Sequence, residues 1–235
     1  MNALKEPVAI QTPCRIAEMD VVLDTSGALY LPDEKTLIVS DMHLEKGTSW
    51  ARRGVFLPPY DSRQTLSALE TAVGSYRPET LVYLGDSFHD IGGHDRLERE
   101  ASETLTRLCS GQNTFWITGN HDPEIPETLP GRTCSELAIG NLRLVHIPSR
   151  PTGEIGEIAG HLHPAASVVR RGSAVKRRCF VTDGRRMIMP AFGSYTGGLS
   201  IRDVAFKDLF DQKRITVHVI GEGQIYSLPL DALAR

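Results

Sequence analysis

The sequence predicts an α/β protein in which a mainly parallel sheet is covered by helices. Two observations carry this. Three strongly apolar runs, at 36–40, 80–84 and 114–118, each end in a polar turn. Between them, at 61–76 and 94–109, apolar residues recur at helical spacing. Strand, turn and helix in alternation is the pattern of crossover units, whose strands run parallel. In such sheets ligands gather beyond the carboxyl ends of the strands, where Asp41, Asp86 and Asn120 fall.

The bulk properties narrow the function classes. The 235 residues suffice for a real core, and no linker, repeat or low-complexity tract divides them, so 1–235 reads as a single domain. Composition is that of a soluble protein, 40% hydrophobic and 23% charged. No run approaches the roughly 18 apolar residues of a membrane span. Residues 1–7 lack the apolar core of a signal peptide, which points to the cytoplasm. A net charge of −3 is not that of a generic polyanion binder, so nucleic-acid contact needs a local basic patch. Cys14, Cys109, Cys134 and Cys179 are scattered without CxxC or zinc-knuckle spacing and read as reduced, mostly buried thiols.

Along the chain, 19–23 and 28–31 flank Thr25-Ser26-Gly27 and suggest a hairpin. The run at 36–40 leads into Asp41-Met42-His43, where strand alternation places the two polar side chains on one side. Residues 45–59 read as a loop, with Gly47, Gly54 and Pro58-Pro59; Arg52 and Arg53 in it are either substrate contacts or a solvated pair. Leu66, Leu69 and Val73 mark the first helix, which Pro78 stops. The run at 80–84 ends in Gly85-Asp86 and then His89. Leu97, Ala101, Leu105 and Leu108 mark the second helix, and the third run delivers Gly119-Asn120-His121-Asp122. Beyond Pro130 the pattern becomes one of hairpins, at 135–145, 179–189 and 215–228. Within it, one strand ends in His146 and another run in Gly160-His161-Leu162-His163. The glycine-rich stretch 191–198 lacks the spacing and Lys of a P-loop.

Each polar turn taken singly is an ordinary loop. Together they form a pattern. Seven of the eight histidines lie between 43 and 163, and His43, His121, His146, His161 and His163 all sit at strand ends beside Gly, Asp or Asn. This nitrogen and oxygen set, with no thiolate, suits Mn, Fe or Zn in a catalytic site.

The ordered motifs Asp41-x-His43, Gly85-Asp86, Gly119-Asn120-His121-Asp122, His146 and Gly160-His161-x-His163 resemble the calcineurin-like metallophosphoesterase superfamily. Two details depart from its common pattern: His89 replaces an Asn or Asp, and no Gly precedes His146. The resemblance implies a four-layer α/β/β/α sandwich, two packed mixed sheets flanked by helices. It implies two divalent metals, Mn foremost with Fe or Zn as alternatives. Asp41, His43 and His163 would hold one, Asn120, His146 and His161 the other, and Asp86 would bridge them. A bridging water would attack phosphorus in line. His121 would protonate the leaving oxygen or stabilise charge on the pentacoordinate phosphorus, with Asp122 orienting its ring, and His89 would contact substrate or support a ligand.

Three further stretches, 84–90, 160–164 and 190–198, look like the ligase-associated branch, described as DNA damage response endonucleases or phosphodiesterases that associate with a DNA ligase and a DEXH-box helicase. The implied function is phosphodiester hydrolysis on DNA in repair. A phosphomonoesterase or small-nucleotide phosphodiesterase is the alternative, and a non-catalytic scaffold a third. Independently, 170–186 carries seven basic residues, Arg177 and Arg178 among them, with Asp183 as the only acid. It reads either as a DNA-backbone contact or as a solvated hairpin.

Overall fold

The computed structural model describes residues 11–58, 60–149, 155–170 and 173–233. Residues 1–7, Pro59 and Arg171, which entered the sequence reading, lie outside the described residues.

One seven-stranded sheet is built in chain order from β1 (Thr12–Ile16), β2 (Met19–Leu23), β3 (Leu29–Leu31), β4 (Thr36–Val39), β5 (Thr80–Leu84), β6 (Asn113–Ile117) and β7 (Arg132–Cys134). Strands β1 to β4 pair antiparallel through tight turns. From β4 to β7 the pairing is parallel. The β4–β5 and β5–β6 crossovers carry α1 (Lys46–Ala51), α2 (Asp61–Tyr76), α3 (Gly93–Arg96) and α4 (Arg99–Ser110). The second sheet has nine strands: β8 (Glu136–Ile139), β9 (Leu142–Val145), β10 (Gly156–Ala159), β11 (Pro164–Arg170), β12 (Ser173–Thr182), β13 (Arg186–Ile188), β14 (Leu199–Ser200), β15 (Thr216–Ile220) and β16 (Ile225–Pro229). Here antiparallel hairpins dominate, while β10 runs parallel to both β9 and β13. Both sheets are therefore mixed, not mainly parallel.

Strand periodicity sorts the apolar side chains into three layers. Leu37, Val39, Leu81, Tyr83 and Trp116 face Leu66, Leu69, Leu105 and Leu108 of α2 and α4. Alternate residues of the same strands, Ile38, Val82, Leu84 and Ile117, point the other way, against Leu144, Ile158, Phe180 and Met187 of the second sheet. The outer face of that second sheet, with Cys179, Val181 and Val217, is covered by Phe206, Leu209, Phe210 and Leu233. The four layers are thus present. Among the described residues, the last is made of loops and the 3-10 turns Val204–Phe206 and Leu230–Ala232, without an α-helix.

Three local differences have physical causes. The stretch expected as a loop contains α1, whose first turn is capped from outside: the Asp61 carboxylate accepts the Gly47 N–H (2.9 Å). A six-residue helix has little stability of its own and exists here through tertiary contacts. The expected helix 94–109 is broken at Leu97 and Glu98, which turn extended (ψ 129° and 147°), so α3 and α4 are separate. Finally, β11, a strand not expected from the sequence, begins with Pro164, tolerated at a strand's first residue.

Phe180 is fully buried between the sheets. Phe180→Ala should therefore lower stability by about 3–5 kcal/mol, read as a fall in the urea midpoint with an unchanged m-value.

Candidate metal centre

Strands β4, β5 and β6 lie side by side and in register, so their carboxyl ends present three loops at one edge. Adjacent β9 and β10 bring two more from the other sheet. The backbone of these loops is unusual. Asp41, His43, Asp86, His161 and His163 all have positive φ, between 44° and 69°. Left-handed conformations of non-glycine residues cost about 1–2 kcal/mol each and persist where surrounding structure dictates them. Here the loops brace one another: Asp41 N–H donates to Gly85 O (3.1 Å), His43 N–H to Asp86 O (2.9 Å) and Gly160 N–H to His146 O (3.0 Å). This corrects the sequence expectation that strand alternation aligns Asp41 with His43. Strand β4 ends at Val39, and two left-handed residues make the alignment.

The side chains converge in two sets. Donor atoms of Asp41, His43 and His163 lie within 4.8 Å of one another, as do those of Asp86, His146 and His161. His163 Nε2 is 3.1 Å from Asp41 Oδ1 and 3.3 Å from His43 Nε2. Asn120 Oδ1 joins the second set, 3.1 Å from His146 Nε2. Asp86 stands between them: Oδ2 is 3.8 Å from His43 Nε2, and Oδ1 is 3.3 Å from His146 Nε2. Each carboxylate oxygen therefore faces a different set. Burial lowers the His43 ring to about 3, so it is neutral at pH 7, the form that ligates a metal. Burial pushes the Asp86 carboxyl up, but His146 and His43 outweigh it and hold it near 2. Two buried anions facing four imidazoles, with Nε2 of His43 and Nε2 of His163 brought to 3.3 Å, fit divalent cations in both sets.

Two glycines of the motifs leave no room for a side chain. A Cβ at Gly119 would stand 2.1 Å from Asp86 Oδ1, and one at Gly160 would stand 2.0 Å from Ser40 Oγ.

Asp122 departs from expectation. It does not orient the His121 ring, whose Nδ1–H donates instead to the His89 carbonyl (2.8 Å). Its buried carboxylate accepts four backbone N–H groups: Asp86 (3.0 Å) and Gly119 (3.1 Å) on Oδ1, Ser87 (2.7 Å) and Phe88 (3.1 Å) on Oδ2. Burial raises this carboxyl to about 6, with the Asp86 charge adding to it and the amide donors opposing.

A cavity of about 640 Å³ opens beside the two sets, lined by Lys46, Trp50, Arg53, His89, Asp90, Ile91, Gly92, Asn120 and His121. His89 sits at its base with His43 and His121, as a third close group. Burial and the Lys46 charge lower the His89 ring to about 4. Arg52 is not in this wall. Because α1 is helical, Lys46 and Trp50, at i and i+4, share a face, and Arg53 joins them from the turn that follows Ala51, its N–H donating to Trp50 O (2.9 Å). Sequence reading missed Lys46 and Trp50, which only a helix brings together.

The basic segment 170–186 is also corrected. Arg178 donates to the carbonyls of Ala191 (2.7 Å), Phe192 (3.4 Å) and Ser26 (3.4 Å) and is no substrate contact. Arg177 lies near Glu222 (3.5 Å), in a groove with Val168 and Tyr226, away from the donor sets. Lys176 donates to Gly198 O, and Arg186 is buried against Glu157 (3.0 Å) and Leu209 O (2.6 Å). A separate cavity of about 490 Å³, under Phe206 and Phe210, holds no such donor set among the described residues.

The family model for calcineurin-like phosphoesterases matches residues 34–180, more than half of the chain and all the donor residues. The chain belongs to this family. It is a metal-dependent phosphoesterase by that membership. Among solved structures, a nuclease, MPE, of Pseudomonas putida superposes with a TM-score of 0.72 over 93% of this chain and 100% of its own, at 23% identity. At that identity the likeness is one of fold. Yfce, a phosphoesterase from E. coli, aligns over 83% of this chain and 98% of its own, with a TM-score of 0.42 and 15% identity. No curated protein matches. Among the described residues no helix is long and apolar enough to cross a membrane.

Two expectations follow. Asp122→Asn sets an amide N–H₂ against backbone donors, so stability should fall by about 1–3 kcal/mol. Metal content by elemental analysis should fall with it, because the Asp86 turn loses its support. Stripping metal with a chelator should lower the thermal midpoint, and Mn should restore it, by about 2.7 kcal/mol at a hundred-fold excess over the dissociation constant.

Proposed function

We propose that this protein is a two-metal phosphodiesterase that hydrolyses DNA. The observation that carries it is the position of Asp86, one oxygen toward each of two three-residue donor sets. In this reading Asp41, His43 and His163 hold one cation, Asn120, His146 and His161 the other, and Asp86 both. When bound, the pair of cations supplies an activated water and Lewis acidity at the phosphoryl oxygens.

The chain's own residues do the rest. The His121 Nδ1–H bond to His89 O fixes the ring, so that in its doubly protonated form Nε2–H is the group that gives a proton to the leaving oxygen and Nδ1–H keeps the carbonyl. Lys46 and Arg53 give the cavity wall a positive charge suited to a polyanion. The fold likeness to a nuclease supports DNA over a small monoester. A scaffold without catalysis is disfavoured, since all seven donor residues are present and converge. From the nitrogen and oxygen ligand set we further infer manganese as the working ion, and from the ligase-associated resemblance a place in DNA repair beside a DNA ligase and a DEXH-box helicase. Four free cysteines accord with the reducing cytoplasm.

The test is a Mn-supplemented assay on a bis-ester, a mono-ester and DNA. Cleavage of DNA and the bis-ester is expected; rapid hydrolysis of the mono-ester alone would replace this reading with a phosphomonoesterase. His121→Ala should keep both metals by elemental analysis and lose about 10²–10⁴ in kcat. Asp86→Asn should lose both metals.

A further inference from the structure

We propose that the α1 wall of the cavity is a nucleotide subsite next to the scissile bond: Trp50 stacks on a base, and Lys46 and Arg53 hold a flanking phosphate. This rests on the DNA phosphodiesterase reading above.

Four observations lead there. First, the three side chains line the same cavity as His121 and Asn120, so whatever occupies the wall continues into the metal centre. Second, the cations are available. Among the described residues neither Lys46 nor Arg53 forms an ion pair, and the cavity's one carboxylate, Asp90, is taken by Arg96 (2.7 Å). Third, of the two tryptophans Trp116 is buried at 1% exposure, while Trp50 is 36% exposed on the cavity wall. Lys46 Nζ lies 5.6 Å from its ring centroid, close enough for a cation–π contact that steadies the indole beside the charge. Ile91, 71% exposed, adds a second apolar surface to the same cavity.

Fourth, the wall is built rather than loose. Besides the Asp61 cap, Glu45 is buried and left-handed (φ 65°), and its carboxylate accepts from Ser62 Oγ (2.7 Å) and Thr48 Oγ1 (2.7 Å). Arg96 Nε donates to Thr48 Oγ1 (3.1 Å), which ties α1 to α3. A short helix held in this way presents Lys46 and Trp50 from a fixed backbone, with Arg53 in the turn that closes it, which flexible chain would not. Hydrolysis of an isolated phosphate ester needs none of this. An aromatic face interleaved with cations suits a strand of nucleotides, with bases on the ring and phosphates on the charges.

The test compares KM and kcat of the Mn-loaded enzyme on two short single-stranded oligonucleotides. They are identical except that one lacks the bases flanking the cleaved linkage. Wild type should show a KM roughly ten-fold lower on the intact strand, the scale of one stacked base. Trp50→Ala should collapse that ratio towards one with little change in kcat, and Trp50→Phe should restore most of it. Lys46→Gln and Arg53→Gln should each flatten the salt dependence of log KM by about 0.7, the single-strand value for one phosphate contact. A Trp50→Ala enzyme that still distinguishes the two strands as wild type does overturns the base contact. Unchanged salt slopes overturn the phosphate contact. A wild type that hydrolyses small esters but neither strand removes the DNA reading itself, a result distinct from both.

Discussion

The buried carboxylate of Asp122 is the contact on which the rest of the site depends. It gathers four amide N–H groups from two loops, at the ends of β5 and β6. Those loops carry Asp86 and Asn120, whose oxygens both approach His146 Nε2 (3.3 and 3.1 Å). The Gly85-Asp86 turn is left-handed at both residues, and its backbone would relax if these amides had another partner. Removing the carboxylate from water disfavours its charge, while four donors favour it; the balance leaves it near 6 rather than at an extreme. The acid beside His121 therefore works on the backbone, and the imidazole is steered by a carbonyl one loop away.

The second constraint is the packing of two sheets. Asp41, Asp86 and Asn120 come from the first sheet, and His146, His161 and His163 from the second. Their spacing is set by a layer including Ile38, Val82, Leu84, Ile158, Phe180 and Met187, all fully buried. Hydrogen bonds cross at the site itself: Phe192 N–H to Ser40 O (2.8 Å) and His161 N–H to Asp41 Oδ2 (3.0 Å). The centre lies on the seam between the sheets, so a change in core volume can reach the candidate ligands without touching them.

What the sequence made legible was whatever is local. Helix α2 falls on its expected residues, 61–76, since a wide apolar face and a following proline are encoded in the segment itself. The hairpins at β8–β9, β12–β13 and β15–β16 carry their own turns. The ligand motifs were legible because glycine must stand beside the ligands, as the close approaches at Gly119 and Gly160 explain. Helix α1 was not legible: its cap comes from Asp61, fourteen residues away from Gly47, and reading 45–59 as a loop led to Arg52 in place of Lys46 and Trp50. The partner of Asp122 was hidden for the same reason. Adjacency suggested the neighbouring imidazole, while its backbone partners Asp86, Ser87 and Phe88 lie on another strand end.

Charge gives the sharpest contrast between sequence density and structural availability. The densest basic run, 170–186, looks like a phosphate track, yet the guanidinium of Arg178 is bound to three carbonyls. A hydrogen bond to a charged group is worth about 1.5–3 kcal/mol net, so a phosphate competing for Arg178 would first have to break contacts that join the β2–β3 turn to the 191–192 loop. Lys46 and Arg53 stand seven residues apart, and among the described residues no ion pair holds either of them. Screening limits a surface charge to about 8–10 Å at physiological salt. Lys46 and Arg53, on the wall of the cavity beside the donor sets, are within that range of a phosphate entering it, whereas the Arg178 guanidinium is already held by protein carbonyls.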